Sequence, residues 1–97
     1  MEPGGEQRLQ KLEMAGVSRA VVEALRNYVE RGHRPGGFLC AVLRNDLVDA
    51  VCRADPDNFG GLKQIVLWIY NDAPAKCWGT GLKVEAWIKK HAAEARP

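Results

Sequence analysis

The sequence predicts an all-α fold, a compact single-domain bundle of four to five short helices, and three observations lead to this prediction. Apolar residues recur at intervals of three, four and seven positions in separate segments, which is the spacing of one helix face. Glycine and proline residues separate these segments. The 97 residues, 46% hydrophobic and 27% charged, suffice for one core but not for a second. We therefore predict one helical domain over residues 6–93, with a flexible tail at 1–5 and a frayed one at 94–97.

The N-terminal third of the chain predicts two helices. Helix-forming residues favour a first helix over Glu6–Ala15, and Gly16 can end it because glycine adopts the left-handed conformation at a helix C-terminus. Ser18 is a typical N-cap for the second helix, and Gly32 and Pro35 end that helix. The apolar stripe of the second helix consists of Val21, Val22, Leu25, Tyr28 and Val29.

The middle of the chain predicts either one further helix or two short helices that abut. The helical spacing of apolar residues continues without a phase break through Asn45 and Asp46, so both alternatives stay open. Asp55 ends this segment, because a residue that precedes proline disfavours the α conformation. The stripe consists of Leu39, Val42, Leu43, Leu47, Ala50, Val51 and Ala54.

The C-terminal half predicts two more helices. The run Ile65–Tyr70 is β-branched and aromatic, so it fits either a buried strand or a helix that is apolar on most of its surface. The segment from 57 to 71 has 15 residues, which is too long for a typical strand, and we therefore predict a helix. Asp57 or Asn58 can cap it, and Pro74 ends it. Thr80 can cap the last helix, whose core residues are Leu82, Val84, Trp87, Ile88 and His91.

Charge and composition narrow the class of protein. The formal net charge is only +2, whereas proteins dedicated to duplex nucleic acid usually concentrate a larger positive excess to neutralise several phosphates. Three cysteines without metal-type spacing indicate a reduced protein. The chain opens without a signal peptide, and its longest apolar run has six residues, far fewer than the ~18 that span a bilayer. We expect a soluble cytoplasmic protein that neither spans a membrane nor binds duplex nucleic acid.

The turn after the second helix is a candidate anion-binding or partner-binding site. It places Arg31, His33 and Arg34 beside Gly36 and Gly37, which open the next helix. Unpaired backbone N–H groups at a helix start favour anions, and arginine adds a fork that binds phosphate or carboxylate. The alternative is a helix–helix turn whose glycines serve geometry and whose arginines are solvated.

Asn45 and Asp46 are a second candidate, for an interface. These residue types compete with helical hydrogen bonding and are poor choices inside a helix unless they have another role. They can break the helix or cap a second segment. The other interpretation is a polar pair that faces a partner or a ligand.

A third candidate interface combines two motifs on either side of the short connection around Pro74. Tyr70, Asn71 and Asp72 precede this connection and Trp78 follows it, so we expect them to lie close together. Aromatic residues with a polar tip are typical interface anchors. The alternative is that Trp78 folds back and seals the end of the helix pair.

The sequence predicts no catalytic residue, no metal site and no cofactor. His33 and His91 lie in no recognisable nucleophile motif. The chain contains no phosphate-binding Walker loop, no dinucleotide fingerprint and no metal-ligand cluster. We therefore do not expect an enzyme.

Three motifs with fixed spacing resemble a group of small proteins encoded by phages and prophages. They are P-x-G-F-L-x-A-V-L-x-N-D-L, then I-V-x-x-I-Y-N-x-x-P-x-x-C-W-G followed by serine or threonine, then K-V-x-A-W-I. The match covers about the last two thirds of the chain. In the basic turn the shared pattern retains P-x-G rather than the basic residues.

The resemblance implies a small phage or prophage accessory protein. Such proteins, when they lack catalytic motifs, commonly act by stoichiometric binding to a host protein or protein complex, including inhibition of a bacterial immune system, in the cytoplasm of the bacterial host. One alternative is a small-ligand binder that sequesters a nucleotide or a nucleotide-derived signal through the basic turn. Another is a minor virion or assembly component. The sequence leaves the oligomeric state open.

Overall fold

A computed structural model describes the backbone of residues 3–95 and the side chains of residues 9–56 and 58–94. Within this range the chain forms seven α-helices and one 3₁₀ turn, and it contains no strand. The end residues 1–2 and 96–97, which belong to the two predicted tails, lie outside the described part. The helices are α1 Pro3–Met14, α2 Arg19–Arg31, α3 Gly37–Leu43, α4 Leu47–Arg53, α5 Pro56–Gly60, α6 Leu62–Asp72 and α7 Gly81–Ala95, with the 3₁₀ turn at Ala75–Cys77.

The predicted all-α class is confirmed, and the ambiguous run Ile65–Tyr70 is helical, inside α6. The helix predicted over 57–71 is divided, because a break at Gly61 separates α5 from α6. The cap prediction at Asp57 or Asn58 was wrong. Asp55 caps α5 instead, its Oδ1 accepting a hydrogen bond from the backbone N–H of Asn58 at 2.7 Å. Pro56 then opens the helix, where its missing N–H costs no hydrogen bond.

The middle segment consists of two abutting helices that meet at Asn45 and Asp46. Asn45 adopts the left-handed conformation with φ of 65°, which ends α3. Asp46 then caps α4, because its side chain accepts a hydrogen bond from the backbone N–H of Asp49 at 3.1 Å. The pair that disfavours a helix interior therefore forms the junction between two helices.

Helix α2 buries four residues in the core and is tied to two distant parts of the chain. Tyr28 is completely buried, and its hydroxyl donates a hydrogen bond to the carbonyl of Cys77 at 2.6 Å. The indole N–H of Trp87 donates to the carbonyl of Tyr28 at 2.9 Å. Burial raises the pKa of the Tyr28 hydroxyl well above its ordinary value and that of the buried Cys77 thiol to about 11, so both groups stay protonated at neutral pH.

The caps predicted at Ser18 and Thr80 are confirmed, whereas α1 begins at Pro3, three residues before the predicted start at Glu6. Ser18 accepts a hydrogen bond from Val21 N–H at 3.4 Å and caps α2, and Thr80 accepts one from Lys83 N–H at 3.1 Å and caps α7. Leu82, predicted to join the core, is 86% exposed. Two positions along a helix turn the side chain by about 200°, so Leu82 points away from the face that buries Val84. No helix within the described range is long and apolar enough to cross a membrane.

Candidate functional site

An open apolar groove of about 180 Å³ lies between helices α4 and α6. Helix α3 contributes to its base, and the junction between α3 and α4 closes one end together with the segment after the 3₁₀ turn. We refer to it below as the α4–α6 groove. It is lined by Val42, Asn45, Asp46, Leu47, Ala50, Leu62, Val66, Ile69 and Trp78.

Helical spacing explains why apolar side chains face each other across this groove. Leu62, Val66 and Ile69 lie at i, i+4 and i+7 of α6 and therefore share one face, while Leu47 and Ala50 lie at i and i+3 of α4. Ile69 is buried at the base. Val66 and Leu47 are 45% and 70% exposed, so they form walls that solvent reaches. The apolar surface of these walls is not covered by any other described part of the chain.

Trp78 stands at the end of the groove nearest the C-terminus of α6. Its ring meets that of Tyr70 edge to face, with 6.0 Å between centroids. The backbone next to it is fixed, because Gly79 N–H donates a hydrogen bond to the carbonyl of Leu43 at 2.7 Å. Trp78 is half-buried and packs against the core while it lines the groove. The two interpretations of Trp78, a seal for the helix ends and an exposed anchor, are therefore compatible.

The same end of the groove carries its polar groups. Asn45 and Asp46 are exposed and line the groove immediately before α4 begins. The neighbouring carboxylate of Asp49 is held by Arg44 and by Arg53, each at 3.0 Å. In contrast, Asp46 accepts the capping hydrogen bond from Asp49 N–H and forms no ion pair with any described basic side chain. A carboxylate without a cation therefore borders an apolar surface.

The structure brings together four of the six predicted interface residues. Asn45, Asp46 and Trp78 line the groove, and Tyr70 contacts Trp78. The remaining two, Asn71 and Asp72, line a different and more polar depression of about 280 Å³ on the side of α6 that faces α1. Consecutive residues on a helix are turned by about 100°, so neighbours in the sequence point to different surfaces.

The basic turn at 31–37 lies outside the groove, and its central arginine, Arg34, is paired with an acidic residue of α7. Arg34 donates two hydrogen bonds to Glu85, at 2.8 Å and 2.6 Å, and these bonds lower the pKa of the Glu85 carboxyl. Gly37 lies against Arg53, because a Cβ added there would be 2.7 Å from the guanidinium. Gly36 is the N-cap residue of α3 and provides no side-chain cap.

Arg31 and His33 complete the turn, and both are exposed. Neither has a hydrogen bond or an ion pair from its side chain to another described residue. The turn therefore combines one arginine that is paired within the fold with two solvated side chains. None of its residues lines the α4–α6 groove.

Sequence reasoning missed the walls of the groove. Leu47 was assigned to the apolar stripe of the middle segment and Val66 to a helix that is apolar on most of its surface, yet their side chains are 70% and 45% exposed. A signal was present in α4, where apolar residues at 47, 48, 50 and 51 cover more than one helix face. A short helix that packs on one side leaves such extra residues in solvent: Val48 is 74% and Val51 is 43% exposed.

Comparisons with protein-family models, with curated proteins and with solved structures found no match to this chain. Within the described residues, no group of three or more histidine, cysteine, aspartate or glutamate side chains is placed to hold a metal ion. The α4–α6 groove is thus the feature of the described surface with the clearest chemistry, an apolar channel with a carboxylate and an indole at one end.

Proposed function

We propose that this chain is a binding protein that acts stoichiometrically by holding a segment of another protein in the α4–α6 groove. The exposed apolar walls at Leu47 and Val66 are the observation that supports this proposal. Apolar surface that stays in water is unfavourable by about 25 cal/mol per Å², and a partner that covers it gains this free energy. Trp78 and Tyr70 add rigid aromatic surface, which is typical of residues that dominate binding energy.

The biological role within the proposal comes from the motif resemblance. It is that of a phage or prophage accessory protein that binds a host protein or protein complex in the bacterial cytoplasm and inhibits a bacterial immune system. The groove supports stoichiometric binding because its lining offers contact surface rather than a set of reactive side chains. A minor virion or assembly component would instead be required for particle assembly.

The groove supports a protein partner better than the basic turn supports a nucleotide. A phosphate that approaches Arg34 must compete with the Glu85 carboxylate, which already occupies both donors of the guanidinium fork. A protein segment that enters the α4–α6 groove does not have to displace a side chain that is already bound there.

A matched pair of variants tests the proposal. Leu47→Glu places a charge on the groove wall, and Leu82→Glu places the same charge on α7 at a site that is 86% exposed and outside the groove. Both leucines lie in the first turn of a helix, where glutamate is favourable, so both variants should fold. Affinity capture from the bacterial host should then yield a partner with the wild type and with Leu82→Glu.

We expect Leu47→Glu to reduce capture at least tenfold, because burial of an unpaired carboxylate opposes binding. The same variant should abolish any protection that expression of the chain gives to an infecting phage, whereas Leu82→Glu should retain it. Equal capture by the two variants would contradict the proposal, provided that circular dichroism shows the same helix content in both.

A further inference from the structure

We propose that the occupant of the α4–α6 groove is a single amphipathic helix of the partner that carries a lysine or arginine at the Asp46 end. This inference rests on the proposed function and specifies the segment that the groove recognises. Its support comes from the length of the groove, from the distribution of its polar groups and from its charge.

The length of the groove matches two turns of helix. Leu62, Val66 and Ile69 line it along α6, and the first and last of them are seven residues apart. At a rise of 1.5 Å per residue, the groove follows α6 for roughly 10 Å. A partner helix with apolar side chains at i, i+3 or i+4, and i+7 spans the same distance, which is the usual arrangement of helix anchors in a groove.

The distribution of polar groups favours a helix over an extended segment. An extended backbone needs hydrogen-bond partners along its whole length once it leaves water. The groove has polar side chains only at one end, from Asn45, Asp46 and the indole of Trp78, and its walls are apolar beyond that point. The described chain also contains no strand edge that could pair with such a segment. A helix satisfies its own backbone and presents only side chains to the walls.

The charge at the end of the groove favours a basic residue on the partner. Asp46 forms no ion pair with a described side chain, whereas the neighbouring Asp49 is held by two arginines. A lysine or arginine one turn beyond the apolar anchors would meet the free carboxylate. A second copy of this chain fits less well. A twofold interface pairs the same patch on both copies, and none of the residues that line the groove is basic, so a second copy would offer Asp46 no cation from that patch.

Binding of designed peptides to the full chain tests the inference. One labelled peptide carries leucines at i, i+4 and i+7 on a helix-forming background with one lysine a turn beyond them. A second has glutamate in place of that lysine, and a third has the composition of the first in an order without an apolar face. Fluorescence anisotropy gives the dissociation constant of each. We expect the first peptide to bind at least tenfold more tightly than either of the others, and Leu47→Glu, but not Leu82→Glu, to weaken it at least tenfold.

The variant Asp46→Asn isolates the contribution of charge. Asparagine caps a helix about as well as aspartate, so α4 keeps its N-cap while the carboxylate is lost. The preference for the lysine peptide over the glutamate peptide should then fall from at least tenfold to less than threefold. Added salt should reduce that preference in the wild type in the same direction, because exposed charges are screened.

Three outcomes would overturn the inference. The first is that the peptide without an apolar face binds as tightly as the amphipathic one. The second is that Asp46→Asn leaves the preference for the lysine peptide unchanged. The third is that sedimentation shows a wild-type dimer that Leu47→Glu converts to a monomer, because the occupant of the groove would then be a second copy of this chain. If host-protein capture still depends on Leu47 while the peptides do not discriminate, the proposed function stands and only the helical, basic nature of the segment is rejected.

Discussion

At the scale of single residues, one buried tyrosine links three parts of the fold. Tyr28 of α2 donates to the Cys77 carbonyl in the 3₁₀ turn and accepts, through its own carbonyl, from Trp87 of α7. The sequence places Tyr28 in the apolar stripe of α2. It does not reveal the hydroxyl's partner, which lies 49 positions further along the chain. A polar group inside a stripe thus indicates that a partner exists without identifying it.

The variant Tyr28→Phe should reduce the free energy of unfolding by about 1–3 kcal/mol. It removes a buried hydrogen bond and leaves the Cys77 carbonyl without that donor. Tyr70→Phe is the matched control, since Tyr70 is 69% exposed, and it should change stability by less than about 0.5 kcal/mol. Urea denaturation measures both. Similar, small changes for the two variants would show that the Tyr28 hydroxyl contributes nothing.

Asn45 and Asp46 show how far residue types alone can lead. Their poor fit to a helix interior predicts either a helix junction or a polar pair that faces a partner or a ligand, and the structure shows the junction. Asn45 turns the backbone, Asp46 caps α4, and the two side chains line the groove. A residue required by local structure can therefore also line a surface groove, and the residue types alone do not favour one alternative over the other.

At the scale of helices, apolar periodicity predicts α2 and α7 well because each buries one stripe, whereas α6 was predicted from the length of its segment. It fails for α4, whose stripe predicts burial of Leu47 and Val51 although both are exposed. Helical spacing defines which side chains share a face. Whether another helix covers that face depends on how α4 and α6 pack, and this is a property of the folded chain. The groove could not be predicted for this reason.

The junction after α2 depends on a close approach between two helices. Gly32 has φ of 67°, and its N–H donates to the carbonyl of Tyr28 at 2.9 Å. A Cβ at this position would collide with the Cβ of His91 on α7. A side chain at position 32 is therefore unfavourable for two reasons. The backbone is in the left-handed conformation, and the side chain of His91 occupies the space that a Cβ would need.

The variants Gly32→Ala and Gly16→Ala separate these two effects. Gly16 also has positive φ, at 92°, but a Cβ there meets nothing within 4 Å. Gly16→Ala should cost roughly 1–2 kcal/mol of stability from backbone strain alone. Gly32→Ala should cost more than Gly16→Ala, because the contact with His91 must also give way. Thermal unfolding measures the stability of both variants. Equal losses of stability would mean that α7 moves away from position 32 without a cost in free energy.

At the scale of the whole molecule, two regions of different chemistry lie apart. The α4–α6 groove is apolar with one free carboxylate, and the turn at 31–37 is basic with its central arginine paired to Glu85. The sequence predicted the residues of the turn and part of the groove, but it could not show which of the two regions is the better candidate for binding. That choice depends on Glu85, which lies 51 positions from Arg34 and contacts it only in the folded chain.

The double variant Arg31→Ala/Arg34→Ala decides which of the two regions is active. Both side chains are exposed and the Glu85 contact is on the surface, so the variant should unfold at nearly the same temperature as the wild type. If the groove is the binding surface, host-protein capture should stay within about threefold of the wild type, a change of less than ~1 kcal/mol.

If the turn binds a phosphate or an acidic surface, the loss of charge-assisted contacts should weaken binding at least tenfold, and raised salt should imitate that loss in the wild type. Native mass spectrometry of both proteins would then reveal any retained nucleotide, and a nucleotide that the wild type holds and the variant lacks would place the function at the basic turn instead of the groove.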